Sequence, residues 1–320
     1  MNQPAWTTVR SAWRQALYGE GGFYRSERPV DHFRTSVHAS ALFAGALVAL
    51  ARRHGLGAVT DVGAGDGELL TQLHSLAPDL SLTGVELRPR PESLPPDVAW
   101  RTAMGPTSGL VVANELLDNV PVDVVELDAD GVVRLVEVDS ATGEQRLGRP
   151  APPDACDWLA TWWVLRRPGD RAEIGLVRDA LWARLCGRVR DGVCLAIDFG
   201  HTREDRPATD TVASYRSGRR RPLSFDGRHD VTSAVALDSV AAAVGAGLQS
   251  QGEALAHLGV PGRRPLLSQS ASDPAGYVRA LARASQASEL TSTDGGLGSF
   301  GWLSCVRRPP TPATSASSPG

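Results

Sequence analysis

The sequence predicts an α/β fold built on a mostly parallel sheet. Three observations carry this reading. Short apolar runs alternate with helical segments over residues 40–199. The run Leu110–Ala113 is continuously apolar, as in a strand covered on both faces. A glycine-rich turn joins the first such strand to the next helix. Parallel neighbours require right-handed crossovers, which the intervening helices supply.

Residues 1–38 read as a mixed N-terminal segment that contributes to a site, with a turn at Gly21-Gly22. Ser40–His54 predicts a helix with Phe43, Leu47 and Leu50 on one face, ended by Gly55 and Gly57. Ala58–Val62 predicts a buried strand. Leu69, Leu70, Leu73 and Leu76 form the apolar face of the following helix, which Pro78 stops. Ser81–Leu87, Val98–Thr102 and Leu110–Ala113 are the next strands. Val122–Leu127 and Val132–Val138 flank Asp128-Ala129-Asp130-Gly131, a hairpin pattern. Residues 140–172 are rich in proline and tryptophan and give no clear period; Trp158, Trp162 and Trp163 read as packing, with an aromatic lid as the alternative. Glu173–Arg190 predicts a helix with Ile174, Val177, Leu181 and Leu185 inward, and Val193–Phe199 a central strand. Residues 203–228 read as a polar, arginine-rich loop, and Asp230 as the cap of a helix reaching Val244. Leu248–Gly252 and Phe300–Val306 complete the sheet with an antiparallel end strand. The organisation expected is one domain over 39–308, with inserted α/β elements at 122–172 and 201–229, and a disordered tail over 309–320.

Composition narrows the chemistry. All 33 basic residues are arginine, so a lysine Schiff base is excluded. A net charge of -3 gives no basic field for nucleic acid. No apolar run is long enough to span a bilayer, nothing resembles a signal peptide, and a cytoplasmic location is expected. Cys156, Cys186, Cys194 and Cys305 form no C-x-x-C pair; Cys186 and Cys194 read as small core residues, and no metal set is expected. His32, His38 and His74 are isolated.

The turn Asp61-Val62-Gly63-Ala64-Gly65-Asp66-Gly67 has three glycines at alternate positions behind a strand acid. Glycine lets the backbone approach a ligand closely. A dinucleotide loop would place its third glycine one residue later and would not flank it with Asp66 and Glu68, which repel pyrophosphate. Acids suit a phosphate-free nucleoside that carries a sulfonium and an ammonium, S-adenosylmethionine. Asp61, Gly63, Gly65 and Gly67 are therefore candidate cofactor-binding residues. Glu86, at the end of the next strand, suits the two ribose hydroxyls. Ala113-Asn114-Glu115-Leu116-Leu117-Asp118-Asn119-Val120-Pro121 follows the fourth strand, at the sheet edge where open α/β folds bind ligands. Asn114 is a further cofactor contact, and Glu115 and Asp118 are candidate catalytic carboxylates, three apart and on one face if the turn is helical.

These residues carry a more specific resemblance. Gly22-Phe23-Tyr24, then Asp31-His32-Phe33-Arg34-Thr35-Ser36, then Ala113 to Val122, Asp198-Phe199-Gly200 and Asp230-Val231-Thr232-Ser233-Ala234-Val235 follow in order the motifs of the MidA family of methyltransferases. The resemblance implies a Rossmann-like class I methyltransferase sheet and S-adenosylmethionine as cofactor. It also implies an arginine side chain of a protein as acceptor, since the family includes a mitochondrial enzyme that methylates an arginine of a respiratory complex I subunit. It adds Tyr24, Thr35, Ser36 and Asp198 as possible substrate or cofactor contacts. The stretch Ala213–Arg219 lacks a histidine usual in the family. A small-molecule methyltransferase and a non-catalytic assembly factor that keeps the fold are the competing expectations.

Overall fold

The computed structural model describes residues 6–26, 36–260 and 264–309. Thr35, the stretch Asp31–Arg34 and the 310–320 tail lie outside the described residues. The centre is a seven-stranded sheet of β1 (Ala58–Val62), β2 (Ser81–Val85), β3 (Ala99–Arg101), β4 (Thr107–Asn114), β5 (Val189–Asp198), β6 (Gly247–Ser250) and β7 (Gly301–Arg307). The order across it is β3-β2-β1-β4-β5-β7-β6. Strands β1 to β5 are parallel, and β7 is antiparallel to both β5 and β6. The expected antiparallel strand is thus one place in from the edge. The chain moves outward from β1 to β3 and then crosses back to β4. The loops after β1 and β4 therefore diverge and open a crevice between them.

Eight helices of seven or more residues are described: α1 (Val9–Tyr18), α2 (Ala41–Arg53), α3 (Glu68–Leu76), α4 (Pro153–Trp162), α5 (Leu176–Cys186), α6 (Leu237–Val244), α7 (Gln251–His257) and α8 (Pro274–Thr291). Side chains of β4 alternate between two cores. Leu110 and Val112 pack with Leu47, Leu70, Leu73 and Leu255 from α2, α3 and α7. Val111 and Ala113 pack with Trp182, Leu185 and Val240 from α5 and α6. Cover on both sides is why this strand is apolar throughout. Ser40 caps α2 through its hydroxyl, which accepts from the Leu42 amide at 3.1 Å. Leu76 is the exception on α3, 49% exposed at the helix end.

The predicted hairpin forms, as Val124–Leu127 paired with Val133–Asp139. It belongs to a second, antiparallel sheet that also takes Trp6–Thr8, Gln145–Pro150 and Arg171–Glu173. The N-terminal segment and the first insertion are therefore one structural unit. Helix α1 packs Trp13 and Leu17 on one face of this sheet with Val124, Val136 and Val138. Helix α4 covers the other with Trp158 and Leu159. The tryptophans pack, as expected. Trp158 Nε1 donates to Asp179 Oδ2 at 2.8 Å and Trp163 Nε1 to the Pro207 carbonyl at 3.1 Å.

Three local expectations are corrected. Glu173 ends a strand, and α5 starts only at Leu176. Its buried residues include Arg178 and Trp182, whereas Val177 is only partly buried. Arg178 faces inward because backbone carbonyls of distant segments satisfy it. Residues 203–228 are not all loop: Ala213–Arg216 and Arg219–Arg221 form a hairpin, turned at Ser217-Gly218 with φ of 50° and 70°. Asp230 is no helix cap. It begins the strand Asp230–Thr232 against Ala213–Arg216, and α6 starts at Leu237. Among the described residues, no helix is long and apolar enough to cross a membrane.

Candidate active site

The turn after β1 wraps under the end of β2: the amides of Gly63 and Ala64 donate to the Val85 carbonyl at 2.9 and 3.3 Å. Gly63, Gly65 and Gly67 take φ of 78°, 58° and 79°, the left-handed region that a Cβ disfavours. Gly67 is the N-cap of α3 and would carry its Cβ 2.8 Å from Leu94 Cδ1, so its role is local backbone and packing. Gly63 and Gly65 line a cavity of about 830 Å³ at the crevice. Glu86 is fixed beside them. Its Oε2 accepts from the Gly65 amide at 3.1 Å and its Oε1 from the amides of Leu87 and Arg88 at 2.7 and 3.2 Å.

Asp61 also lines the cavity and is 4% exposed. Burial, then the charges of Glu86 and Glu68, pushes its pKa up to about 7. An ammonium in this corner would reverse that by pairing with the carboxylate. Asp66 adds less negative charge than its place in the turn suggests, because Arg88 Nη1 lies 3.0 Å from its Oδ1. Arg88 lines the same corner and is absent from the sequence reading, since nothing in the glycine pattern marks it.

The segment after β4 forms the adjoining wall. Glu115 sits at φ 53°, an unusual conformation for a side chain with a Cβ. Its amide donates to the Ile197 carbonyl at 2.8 Å, and its Oε1 accepts from Asn114 Nδ2 at 3.1 Å and the Ser36 amide at 3.2 Å. Asn114 Oδ1 is buried and has no hydrogen-bond partner among the described residues, a vacant acceptor for a ligand donor. Asn114, Glu115 and Asp118 all line the cavity, although the turn is not helical. Asp118 Oδ2 accepts from Thr232 Oγ1 at 2.6 Å, while its buried Oδ1 has no partner among the described residues. Burial raises its pKa, opposed by Thr232 and Arg178.

Asp198 and Ser36 hold this wall from behind rather than lining the cavity. Asp198 Oδ2 accepts from the amides of Leu117 and Asp118 at 2.8 and 3.2 Å. Ser36 Oγ bonds Gln251 Oε1 at 3.1 Å. Arg178 Nη2 donates to the Asp118 carbonyl at 2.9 Å and to Ser233 Oγ at 3.0 Å, tying the wall to the strand that carries Asp230.

The far end of the cavity is built outside the main sheet. Tyr24 lines it, as expected, stacked on Tyr18 with ring centroids 5.5 Å apart. Tyr24 Oη donates to Asp230 Oδ1 at 3.2 Å, and Tyr18 Oη to the Asn119 carbonyl at 3.1 Å. Asn119 Nδ2 donates to Asp230 Oδ1 and to the Val231 carbonyl, each at 3.2 Å. Burial, then Asp118, raises the Asp230 pKa well above the carboxylate range. Burial and Asp230 hold both phenols protonated as donors. Tyr18, Asn119, Asp230 and Thr232 escape the sequence reading as site residues because contacts across more than 100 residues bring them here.

The buried acids set opposite pH dependences for folding and binding. Burial also raises Glu173, to about 7. Unfolded carboxylates lose their protons near pH 4, so between about pH 4 and 7 the folded chain holds protons that the unfolded chain has released. Stability of the cofactor-free protein therefore falls as pH rises through this window, and urea midpoints at pH 5.5 and 8 should show it. Ligand affinity has the reverse sign, because an ammonium needs ionised Asp61. Calorimetry with S-adenosylhomocysteine is expected to show affinity rising up to about tenfold per pH unit below 7 and levelling above it. A flat profile would remove Asp61 from contact with the ammonium.

The corner fits S-adenosylmethionine: a backbone loop without Cβ bulk, a fixed carboxylate at Glu86, and anionic or vacant acceptors at Asp61 and Asn114. The comparisons agree. The structure is similar to that of a COG1565 superfamily member from Burkholderia thailandensis bound to S-adenosyl-homocysteine, with a TM-score of 0.76 and 24% identity over 94% of this chain and 88% of that one. A native structure of a COG1565 superfamily protein from the same organism gives a TM-score of 0.75 and 24% identity, over 94% and 87% of the two chains. A search among curated proteins gives no match. Residues 47–254 match the model of a family described as S-adenosyl-L-methionine-dependent methyltransferases. The match takes in the glycine turn, Glu86, the Asn114–Asp118 wall and Asp230, and the chain belongs to that family.

Proposed function

We propose that this methyltransferase is of the MidA type and methylates an arginine side chain of a protein. The observation that carries the reading is the acidity of the far end of the cavity. Asp118, on the adjoining wall, lines the cavity with one oxygen unpartnered among the described residues, Glu115 and Asp230 line it too, and the Tyr24 phenol donates to Asp230. A guanidinium is a planar cation with five donors, and carboxylates and phenol oxygens suit it.

S-adenosylmethionine supplies an electrophilic methyl group on a sulfonium. The chain's own residues hold the acceptor nitrogen in line and keep water out. Pairing with a guanidinium favours the ionised form of Asp118. That carboxylate then receives the proton that the acceptor nitrogen gives up when it gains the methyl group. Glu115, fixed through Ser36 and Asn114, adds a second carboxylate to the same cavity.

The test is transfer of a labelled methyl group in a lysate with and without the protein, followed by identification of the labelled species. Label is expected in protein, and in methylarginine after acid hydrolysis. Label confined to small molecules would overturn the arginine reading and favour a small-molecule acceptor. Absence of any transfer by a protein that binds S-adenosylhomocysteine would favour a non-catalytic role.

A further inference from the structure

Three of the four cysteines meet at one point. Cys186 ends α5, Cys194 lies in β5, and Cys305 lies directly across from it in β7. Their Sγ atoms all lie within 4.8 Å of one another. They are 1%, 0% and 8% exposed, and all are free thiols. The spacing in sequence, 8 and 111 residues, is why no motif announces them.

We propose that this trio is a binding site for a thiophilic divalent cation of the zinc type. A zinc ion with Zn–S bonds of about 2.3 Å holds its sulfurs roughly 3.8 Å apart, so the three side chains need to close by less than about 1 Å. No backbone rearrangement is needed, because β5 and β7 already pair at this register. The second observation is Arg307, two residues beyond Cys305 on β7. Its Nε is buried without a hydrogen-bond partner among the described residues, although the side chain as a whole is only partly buried. Residues two apart on a strand share a face, so its guanidinium stands on the Cys305 side. Beside three thiolates on a divalent cation, which together carry one negative charge, it is balanced. A monovalent cation would leave a surplus negative charge in this apolar core. Loading replaces three S–H bonds with three S–metal bonds and releases three protons, so no oxidant takes part. Cys305 is the least buried of the three, which leaves that side for a water as fourth ligand.

The site is separate from the cavity. Cys194 lies four residues before Asp198 on β5, about 13 Å along the strand. The ion would clamp the end of α5 to the β5–β7 pair. Leu181, Arg184 and Leu185 of that helix line the cavity wall. Its role is to fix that wall rather than to take part in transfer.

The test is titration of the reduced full-length protein with Cd²⁺ alone, read by the sulfur-to-metal charge-transfer band in the ultraviolet. Saturation at one equivalent is expected, and Cd²⁺ added to the zinc-loaded protein should displace the zinc and raise the same band. Cys156→Ser should bind like the wild type, and Cys194→Ser and Cys305→Ser should lose the band. X-ray absorption on the zinc-loaded wild type needs no core variant and should show sulfur neighbours at about 2.3 Å. A folded, reduced wild type with no band, a band that depends on Cys156, or a metal shell of nitrogen and oxygen alone would overturn the proposal.

Discussion

Gly65→Arg abolishes binding of S-adenosylhomocysteine by calorimetry, with a loss of at least about 100-fold. Two effects combine. Gly65 sits at φ 58°, where a side chain costs about 1–2 kcal/mol. More important is where the new group goes. An added Cβ would already stand 3.5 Å from Glu68 Oε2 and 3.9 Å from Arg88 Nη2, on the cavity wall. A guanidinium there extends into the ligand's space and adds a cation where the ligand brings its own. It also disturbs the amide that holds Glu86. Gly65→Ala separates the terms: it keeps the backbone penalty and most of the space, and should weaken binding far less. Retained affinity in the arginine variant would sink the assignment of the turn to the cofactor.

Asp118→Asn lowers turnover about 10²- to 10³-fold, within the range for loss of a positioned proton acceptor, while S-adenosylhomocysteine affinity changes only a few-fold. The substitution is nearly isosteric. A carbonyl oxygen can still accept from Thr232, so the wall keeps its shape. What disappears is the charge that, in the proposed function, holds a cationic acceptor and takes its proton. Because burial already disfavours that charge, the neutral amide should not destabilise the cofactor-free fold. Wild-type turnover should also fall on the acid side as Asp118 protonates, and the variant should lose that limb of the profile. An unaffected rate in Asp118→Asn would remove the residue from catalysis.

The cofactor half of the site was legible because its signals are local. β1, the turn and α3 are one continuous stretch, and left-handed glycines, a strand acid and an apolar helix face leave marks at fixed short spacings. Glu86 and the Asn114–Asp118 wall follow the next strands in the same way. The helices Ala41–Arg53 and Glu68–Leu76 and the continuous apolar strand β4 held for the same reason. Asp230 was expected at a helix end and Arg178 drew no reading at all, because a sequence pattern assigns polar groups to solvent or to caps. The partners that allow their burial are the carbonyls at 118, 120 and 234 for Arg178, and Tyr24 and Asn119 for Asp230.

The sequence by itself therefore determined the parallel sheet, the glycine turn with its acids, and the class of cofactor they suit, because short-range geometry and charge decide those. Only the tertiary structure decided what surrounds the acceptor end and where the cysteines meet. There the N-terminal helix, the inserted sheet and the hairpin at 213–221 are brought together by hydrogen bonds and packing between residues far apart in the chain. Burial of a charge or a thiol depends on such partners, and no local pattern encodes them.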